Sequence, residues 1–567
     1  MRIAVAGGGP GGLFFATLMR RADPSVSVTV FERNRADDTF GFGVVFSDRT
    51  LDVINAADPV LREALTAHGR HWDEIEVRLK GERLRCGGNG MASVVRRTLL
   101  RLLRDRAAKA GAELRFSAPV GLADLAGYDL VVAADGTGSR IRDELLRDGA
   151  DLGMTVETAT AKFIWFGTGY QFGGLTFVHE HGPDGAFAVH GYPISGDVST
   201  FIVETDEESW RRAGLDAFDV NQPPGTSDLI SKKYLEQLFA EQIDGRPLLV
   251  NNSRWGNFRT RRTRRWHVLA PRPVVFVGDA VHTAHFSVGS GTKMAMEDAV
   301  ALSAALAGHP GDLPAALAAY EAAAQPSVRR IQDSARPSLA WWEHFGRYYD
   351  EFEPWQFAYH FLTRSMTDSR LARRAPEFAA ASHRGWSAAH AGADPLGTPF
   401  AHAPLGKAGW SAPGRLVTVT FAADGSPVRV DGGAAPLPLA ALPLGATSPA
   451  TSPASAAPSV SPPTPVDGTG ADPWGVAIAA PDTEAGLPAA FAALAGLASL
   501  GNPPVLVAVH GGTSLTRVLV SEQARMHERI PSLIVAGPEA RADEAAFRDQ
   551  ALTTLLSGRA DLVGRTS

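Results

Sequence analysis

The sequence predicts an α/β protein in which a nucleotide-binding domain is interrupted by an antiparallel sheet. Three observations carry this. An apolar run at 3–6 breaks on Gly7, Gly9 and Gly12, then resumes at 13–19 with helical spacing. Aromatic and β-branched runs, separated by Gly, Pro and Asp, fill 161–205. A stretch of Pro, Ala, Ser and Gly at 434–473, almost without charge, sets off a last α/β-patterned part, 474–567.

The first turn reads as strand, tight turn, helix. In G-x-G-x-x-G spacing, Gly7 permits the turn, Gly9 lets a diphosphate approach the backbone, and Gly12 lets helix and strand pack closely. The helix start offers N–H groups and a partial positive charge to that diphosphate. A second strand, 25–31, ends at Glu32, whose carboxylate is placed to accept hydrogen bonds from ribose hydroxyls. Gly11 and Arg33 adjoin these positions and join the cofactor-binding candidates. The pattern is that of a Rossmann-like domain.

A chain of 567 residues is too long for one core. Its net charge of −6 gives no general attraction to nucleic acid. The single cysteine, Cys86, can form no intrachain disulfide, which fits a reducing compartment. The first strand begins at Arg2 with no leader ahead of it, and there is no apolar run long enough to span a bilayer. The expectation is a cytoplasmic protein with no membrane partner.

In order, Gly41 and Gly43 let a loop lie flat, with Val44 following, and 48–67 is helical. Period-two alternation makes 74–80 a strand. Arg96 opens a leucine-faced helix and points back toward the first turn. Strands at 112–116 and 128–135 follow, the second ending in Asp135-Gly136, which sets a carboxylate at the ligand-binding edge of a sheet. The 161–205 sheet suits one wall of a pocket for a flat apolar substrate, although most of its aromatics must be core. After a basic stretch at 259–265, a buried strand ends in Gly278-Asp279. The turn through Gly289, Gly291, Thr292 and Lys293 then aims a second helix start at the site. Helices continue to about 380, and 434–473 reads as a linker. No Cys/His spacing suggests a metal.

Three signals occur together: the first-turn glycines, Asp135-Gly136-x-x-Ser139-x-x-Arg142, and Gly278-Asp279-x-x-His282. At this spacing the chain resembles the single-component class A flavoprotein monooxygenases over about residues 1–380. The resemblance implies bound FAD, transient NADH or NADPH, and oxygen delivered through a flavin C4a-hydroperoxide. It places Gly7, Gly9 and Gly12 on the FAD diphosphate and Glu32 on the adenosine ribose. Arg96 matches an FAD-contacting arginine, and Asp279 the aspartate that holds the ribityl chain. Asp135 matches a residue serving both FAD and the nicotinamide nucleotide. The backbone at Thr292 and Lys293 would face the flavin pyrimidine. Polar candidates near the flavin are His190, Tyr192, His282 and His285.

His285 and Phe286 stand where prolines are usual, and Lys293 where asparagine is. With Trp165-Phe166-Gly167-Thr168 and Phe201-Ile202-Val203-Glu204-Thr205, the stretch 278–293 resembles the salicylyl-CoA 5-hydroxylase and 2-aminobenzoyl-CoA monooxygenase/reductase subgroup, including tropone-pathway relatives. That implies an aromatic or ring-expanded acyl-CoA thioester. Arg259, Arg261, Arg262 and Arg264 are the candidates for CoA phosphates, since guanidinium forks suit phosphate. A hydroxylase of a free aromatic acid or polyketide-type phenol, and a flavin dehydrogenase without oxygen chemistry, stay open. So does the oligomeric state, a homodimer included.

The C-terminus resembles old yellow enzyme at its two ends, in Thr398-Pro399-Phe400, Val520–Arg525 and Ser557–Val563. An eight-stranded barrel needs about 200 residues or more, so a degenerate (β/α)8 remnant without FMN is expected. The expected domains are 1–160 (with 70–92 partly in the sheet), 161–257 for the substrate sheet, 258–390 for the second FAD-binding part and helical segment, and 391–567 for the remnant.

Overall fold

The computed structural model describes the chain except residues 40, 48–50, 220–221, 223–224, 434, 445–471 and 538–541. The chain divides into two compact units, Met1–Tyr349 and Asp350–Ser567.

The first unit is built on a six-stranded sheet. Its order is His267–Val268, Val274–Phe276, Leu130–Ala133, Arg2–Ala6, Ser27–Phe31, Glu113–Arg115, parallel except at the His267–Val268 edge. Buried strands of this kind are apolar throughout, as Ile3, Ala4, Val5 and Leu130–Ala133 are. The helix Pro10–Ala22 starts on a proline whose missing N–H costs nothing there. It buries Phe14 and Phe15 completely, each contributing about 1.5–3 kcal/mol, and packs on the helix Gly291–Gly308.

A second sheet of eight strands rises from the first. Met154–Thr168, Leu175–Gly182, Gly185–Pro193 and Ser199–Thr205 are its centre, all antiparallel. Ile75–Leu79 and Glu82–Cys86 extend one end, so part of 70–92 lies in this sheet. Gly256–Thr263 pairs with the near half of Met154–Thr168. A small sheet joins Gly43–Ser47, Met91–Val95 and Arg70–Trp72.

In the second unit, helices Pro354–Leu362, Asp368–Arg374 and Pro376–Ala389 precede a closed barrel of seven strands. The four strands Gly475–Ala479, Leu506–His510, Ser532–Val535 and Leu562–Thr566 run parallel in sequence order. Leu416–Phe421, Pro427–Asp431 and Leu437–Leu442 form an antiparallel meander that completes the circle. Among the described residues the ring has seven strands, and the meander closes it. Val419, Val430, Leu437, Leu506, Ala508, Leu533 and Leu562 fill its core.

The expected linker is therefore shorter than 434–473. Residues 437–442 are a barrel strand, in which Leu437 and Leu439 alternate inward through a Pro/Ala-rich composition. Of that linker, 434 and 445–471 lie outside the described residues.

Candidate active site

The three signature glycines have three different physical reasons. Gly7 has φ +113°, and a Cβ there would sit 2.2 Å from the Ala134 carbonyl oxygen. A Cβ on Gly12 would sit 2.2 Å from the Gly7 oxygen. A Cβ on Gly9 would meet no heavy atom within 4 Å, so it opens on space. Gly11 faces inward, where a Cβ would sit 2.9 Å from the Ala295 oxygen, and is a packing glycine between two helices. Gly43 likewise packs, since a Cβ there would sit 2.2 Å from Ile194 Cγ2, and buried Val44 follows it.

Glu32 ends its strand with both oxygens held. Oε2 accepts from Gly8 N at 2.8 Å, and Oε1 from Asn34 N and Nδ2 at 2.9 and 2.7 Å. Arg33 points to solvent. Asp135 Oδ2 accepts from Ile141 N at 3.3 Å, while Oδ1 is buried with no partner among the described residues. Burial pushes this carboxyl up. Arg96 opens its helix with Nε buried and unpartnered beside Gly41 and Trp165. Burial pushes the guanidinium down, against the pull of Tyr192 and Asp279. The Gly41 loop itself is tethered by Asn251 Nδ2, which donates to the Thr39 and Gly41 carbonyls.

Two arginines join the second and third motifs. Arg142 donates to the carbonyls of Ala280 and Thr137, both at 3.1 Å. Arg261 donates to those of Asp279 and Thr137 at 2.8 and 3.0 Å. The turn carrying Asp279 is thereby fixed against the turn after Asp135. Asp279 is pushed up by burial, against the pull of His282, Arg96 and Arg261.

The four arginines proposed for CoA phosphates differ in their surroundings. On the strand Gly256–Thr263, Arg261 is buried and its N–H groups go to carbonyls. Arg262 pairs with Asp333 at 3.0 Å and Arg264 with Asp151 at 3.2 Å. Arg259 is exposed, with no ion pair among the described residues.

His282 also has a different place from that expected of a group at the reacting centre. Its Nε2 lies 2.7 Å from Asp298 Oδ2, which also accepts from Gly278 N at 2.8 Å, and its ring packs on Trp266. It holds the Gly-Asp turn from inside the core.

Strand register sorts the second sheet into two faces. One carries Ile164, Phe166, Val178, Val189, Phe201 and Val203, packed on Leu235 and Phe239. Phe177, His190, Ile202 and Trp165 share a row on the other face, next to a row of His179, Ala188, Glu204 and Phe163. Phe286 lies over this face, its ring centre 5.1 Å from Phe163, 5.9 Å from Trp165 and 5.5 Å from His190. Tyr192 sits one row on, stacked on Trp72.

Within this aromatic layer is a carboxylate the sequence reading passed over. Glu204, 1% exposed, has Oε2 2.5 Å from His190 Nε2 and Oε1 3.2 Å from His285 Nε2. Burial opposes its charge, but His285 and His190 outweigh it and hold the carboxyl at about 2. The signal was an acid inside a β-branched strand.

Helix Gly291–Gly308 makes its first hydrogen bond from Met294 N to Ser290 O, so the N–H groups of Gly291, Thr292 and Lys293 have no acceptor within the helix. Space over Gly291 is open, and Lys293 turns along the helix to Glu297 at 2.7 Å. Unpartnered Arg96 Nε and Asp135 Oδ1, open Gly9 and Gly291, and two helix starts fit an elongated dinucleotide with a diphosphate. Among the described residues no cluster suits a metal ion, and no helix is long and apolar enough to cross a membrane.

A family model described as "FAD binding domain" matches residues 1–335. The chain belongs to this FAD-binding family. Salicyloyl-CoA 5-hydroxylase of a Streptomyces species is 53% identical over 570 residues, covering 100% of both chains. A 3-hydroxy-4-methyl-anthranilyl-[aryl-carrier protein] 5-monooxygenase of Streptosporangium sibiricum is 36% identical, covering 60% of this chain and 89% of that one. Protodeoxyviolaceinate monooxygenase of Chromobacterium violaceum is 33% identical with the same coverage. The protein is an FAD-dependent monooxygenase of the class A type.

Proposed function

We propose that this monooxygenase hydroxylates the ring of an aromatic acyl-CoA thioester, with NADH or NADPH as reductant and O2 as co-substrate. The observation that carries the proposal is the full-length similarity to a salicyloyl-CoA hydroxylase. It includes the C-terminal unit, whereas the alignment to the relative that works on a carrier-protein substrate covers 60% of the chain.

In this reading Gly9 and the first helix start hold the FAD diphosphate, Glu32 the ribose, and Arg96, Asp135 and Asp279 the middle of the cofactor. The N–H groups of Gly291, Thr292 and Lys293 face its ring. Bound FAD supplies reduction and the activation of oxygen. The chain supplies the rest. Phe163, Trp165, Phe258 and Phe286 give a flat ring an apolar seat and keep water out. Arg142 and Arg261 keep the Asp279 turn in place. Exposed Arg259 is the remaining candidate for a CoA phosphate, with Arg262 and Arg264 available if their carboxylate partners yield.

The test is NAD(P)H oxidation by the purified enzyme with a panel of aryl-CoA thioesters and the matching free acids. Thioesters should stimulate it by about tenfold or more and the acids should not; equal stimulation would move the substrate class to free acids. Arg259→Gln should raise KM for a thioester by about tenfold, the loss of one charge-assisted contact, and leave kcat close to wild type. An unchanged KM would remove Arg259 from the CoA site.

A further inference from the structure

The site face of the sheet holds more charge than an apolar seat needs. Glu204 lies among Phe163, Phe177, Trp342 and Phe286, where an anion is costly unless hydrogen-bonded. Two imidazoles meet it from different elements, His190 on the strand Gly185–Pro193 and His285 just before the turn Phe286–Val288. His179, one row away, is the remaining titratable neighbour, and burial pushes it down to about 3, so it is neutral. Across the layer, the helix Leu313–Glu351 brings Trp342 and the uncharged Ser338.

The tautomers follow from the partners. His190 Nε2 is hydrogen-bonded to the carboxylate and so carries its hydrogen; His285 Nδ1 accepts from Ser287 N at 3.4 Å, which puts the His285 hydrogen on Nε2, 3.2 Å from Glu204 Oε1. His285 Nδ1 is then an acceptor, and it faces Ser287 Oγ at 2.8 Å. Ser287 Oγ also lies 2.8 Å from Ser338 Oγ. Ser287 is half-buried, whereas His285, Glu204 and His190 are 2%, 1% and 3% exposed. Ser287 is thus the open end of a chain whose other members are closed off. It sits two residues before Gly289, in the turn that leads to the helix start at Gly291.

We propose that Ser287, His285, Glu204 and His190 form a proton relay that ionises an acidic hydroxyl on the ring of the substrate. The ring O–H gives its proton to Ser287 Oγ as the serine proton passes to His285 Nδ1. The substrate becomes a phenolate, and His285 becomes an imidazolium paired with Glu204. The cluster goes from one net negative charge to none. A phenolate is a far better partner for an electrophilic oxygen than a phenol. Glu204 is a positioning residue, since it is hydrogen-bonded to His190 and its charge pairs with the imidazolium that forms on His285. The inference rests on the aryl-CoA reading and narrows the substrate to rings with an ionisable hydroxyl.

Two variants at separate points, Glu204→Gln and Ser287→Ala, test it on FAD-loaded enzyme. The first readout is the absorbance of bound 2-hydroxybenzoyl-CoA against pH, without reductant. On wild type the phenolate band should appear at least about one pH unit below its midpoint in free solution. In both variants the midpoint should return toward the free value. The second readout is kcat against pH. Wild type should be nearly flat, and each variant should fall by about 100-fold at neutral pH and recover as pH approaches the free phenol value. The O-methyl ether of the substrate, which has no proton to give, should lose the difference between wild type and variants.

Equal midpoints in all three proteins, or profiles that fall in parallel for hydroxyl and ether substrates, would overturn the relay. If Glu204→Gln loses FAD, Ser287→Ala decides alone, since removing one half-buried hydroxyl spares the core. If wild type ignores every aryl-CoA, the substrate reading fails separately. The relay is then read from the visible absorbance of bound 4-nitrophenol in the same three proteins, with the same two outcomes.

Discussion

Gly9 and Gly12 show how one motif sorts into separable jobs at the scale of the residue. A methyl on Gly12 meets a backbone oxygen at 2.2 Å, and neither partner can move without breaking the turn. Gly12→Ala should therefore destabilise by more than about 3 kcal/mol and yield little folded protein. A methyl on Gly9 meets only open space. Gly9→Ala should fold with a near-normal melting temperature and weaken FAD by about tenfold or more, about 1.4 kcal/mol. Far-UV circular dichroism and FAD titration separate the two. Were Gly9→Ala to bind FAD normally, the diphosphate would not lie over Gly9.

His282 makes a prediction of a different kind. Burial opposes its charged form, but Asp298 outweighs that and raises it above 6.5. A raised folded-state value means that the stabilisation is full below pH 6.5 and fades as pH climbs through the raised value. His282→Asn should remove that fade, so the gap in Tm between wild type and variant should narrow as pH rises above 6.5. A gap independent of pH would show that His282 is neutral throughout.

At the scale of the element, the second sheet is legible as a sheet but not as two faces. Its aromatic runs announce strands, yet Phe163, Trp165, Phe166 and Phe201 look alike in sequence. Register alone puts Phe201 against Phe239 in the core and Trp165 beneath Phe286. Phe201→Ala should cost about 3–5 kcal/mol of stability, the usual penalty for emptying a packed aromatic site. Phe286→Ala should leave urea denaturation nearly unchanged and lower kcat/KM by about tenfold or more. The opposite pairing of effects would mean the faces have been assigned the wrong way round. The basic stretch is not one patch either: Arg261 is buried, whereas Arg259, two residues earlier on the same side of the strand, is exposed. Glu204 was hidden because its imidazole partners stand on other elements, His190 on the neighbouring strand and His285 far along the chain.

At the scale of the whole molecule, motif order and spacing gave away the FAD-binding unit, because each motif is a local turn with its own backbone demands. The C-terminal unit was harder. Its parallel strands are short apolar runs that stand out, but the strand 437–442 is disguised by proline and alanine. Closure depends on a meander that no local pattern reveals. The residues that resemble old yellow enzyme are spent inside the unit. Arg559 donates to the His360 carbonyl and Thr363 Oγ1, Arg525 pairs with Asp561, and Glu522 meets His360 at 3.0 Å. We therefore predict that flavin released by acid from the pure protein is FAD alone, about one per chain. A second equivalent as FMN would restore a working second site to the barrel.

The most direct measurement is oxygen labelling. Purified enzyme with NADH or NADPH and 2-hydroxybenzoyl-CoA under 18O2 should give a ring-hydroxylated thioester carrying one labelled oxygen. One NAD(P)H should be consumed per product, and the new ring oxygen should not be the unlabelled oxygen of water. If reductant is consumed without hydroxylated product from any aryl-CoA, or the hydroxylated product carries no label, the protein is not an aryl-CoA monooxygenase.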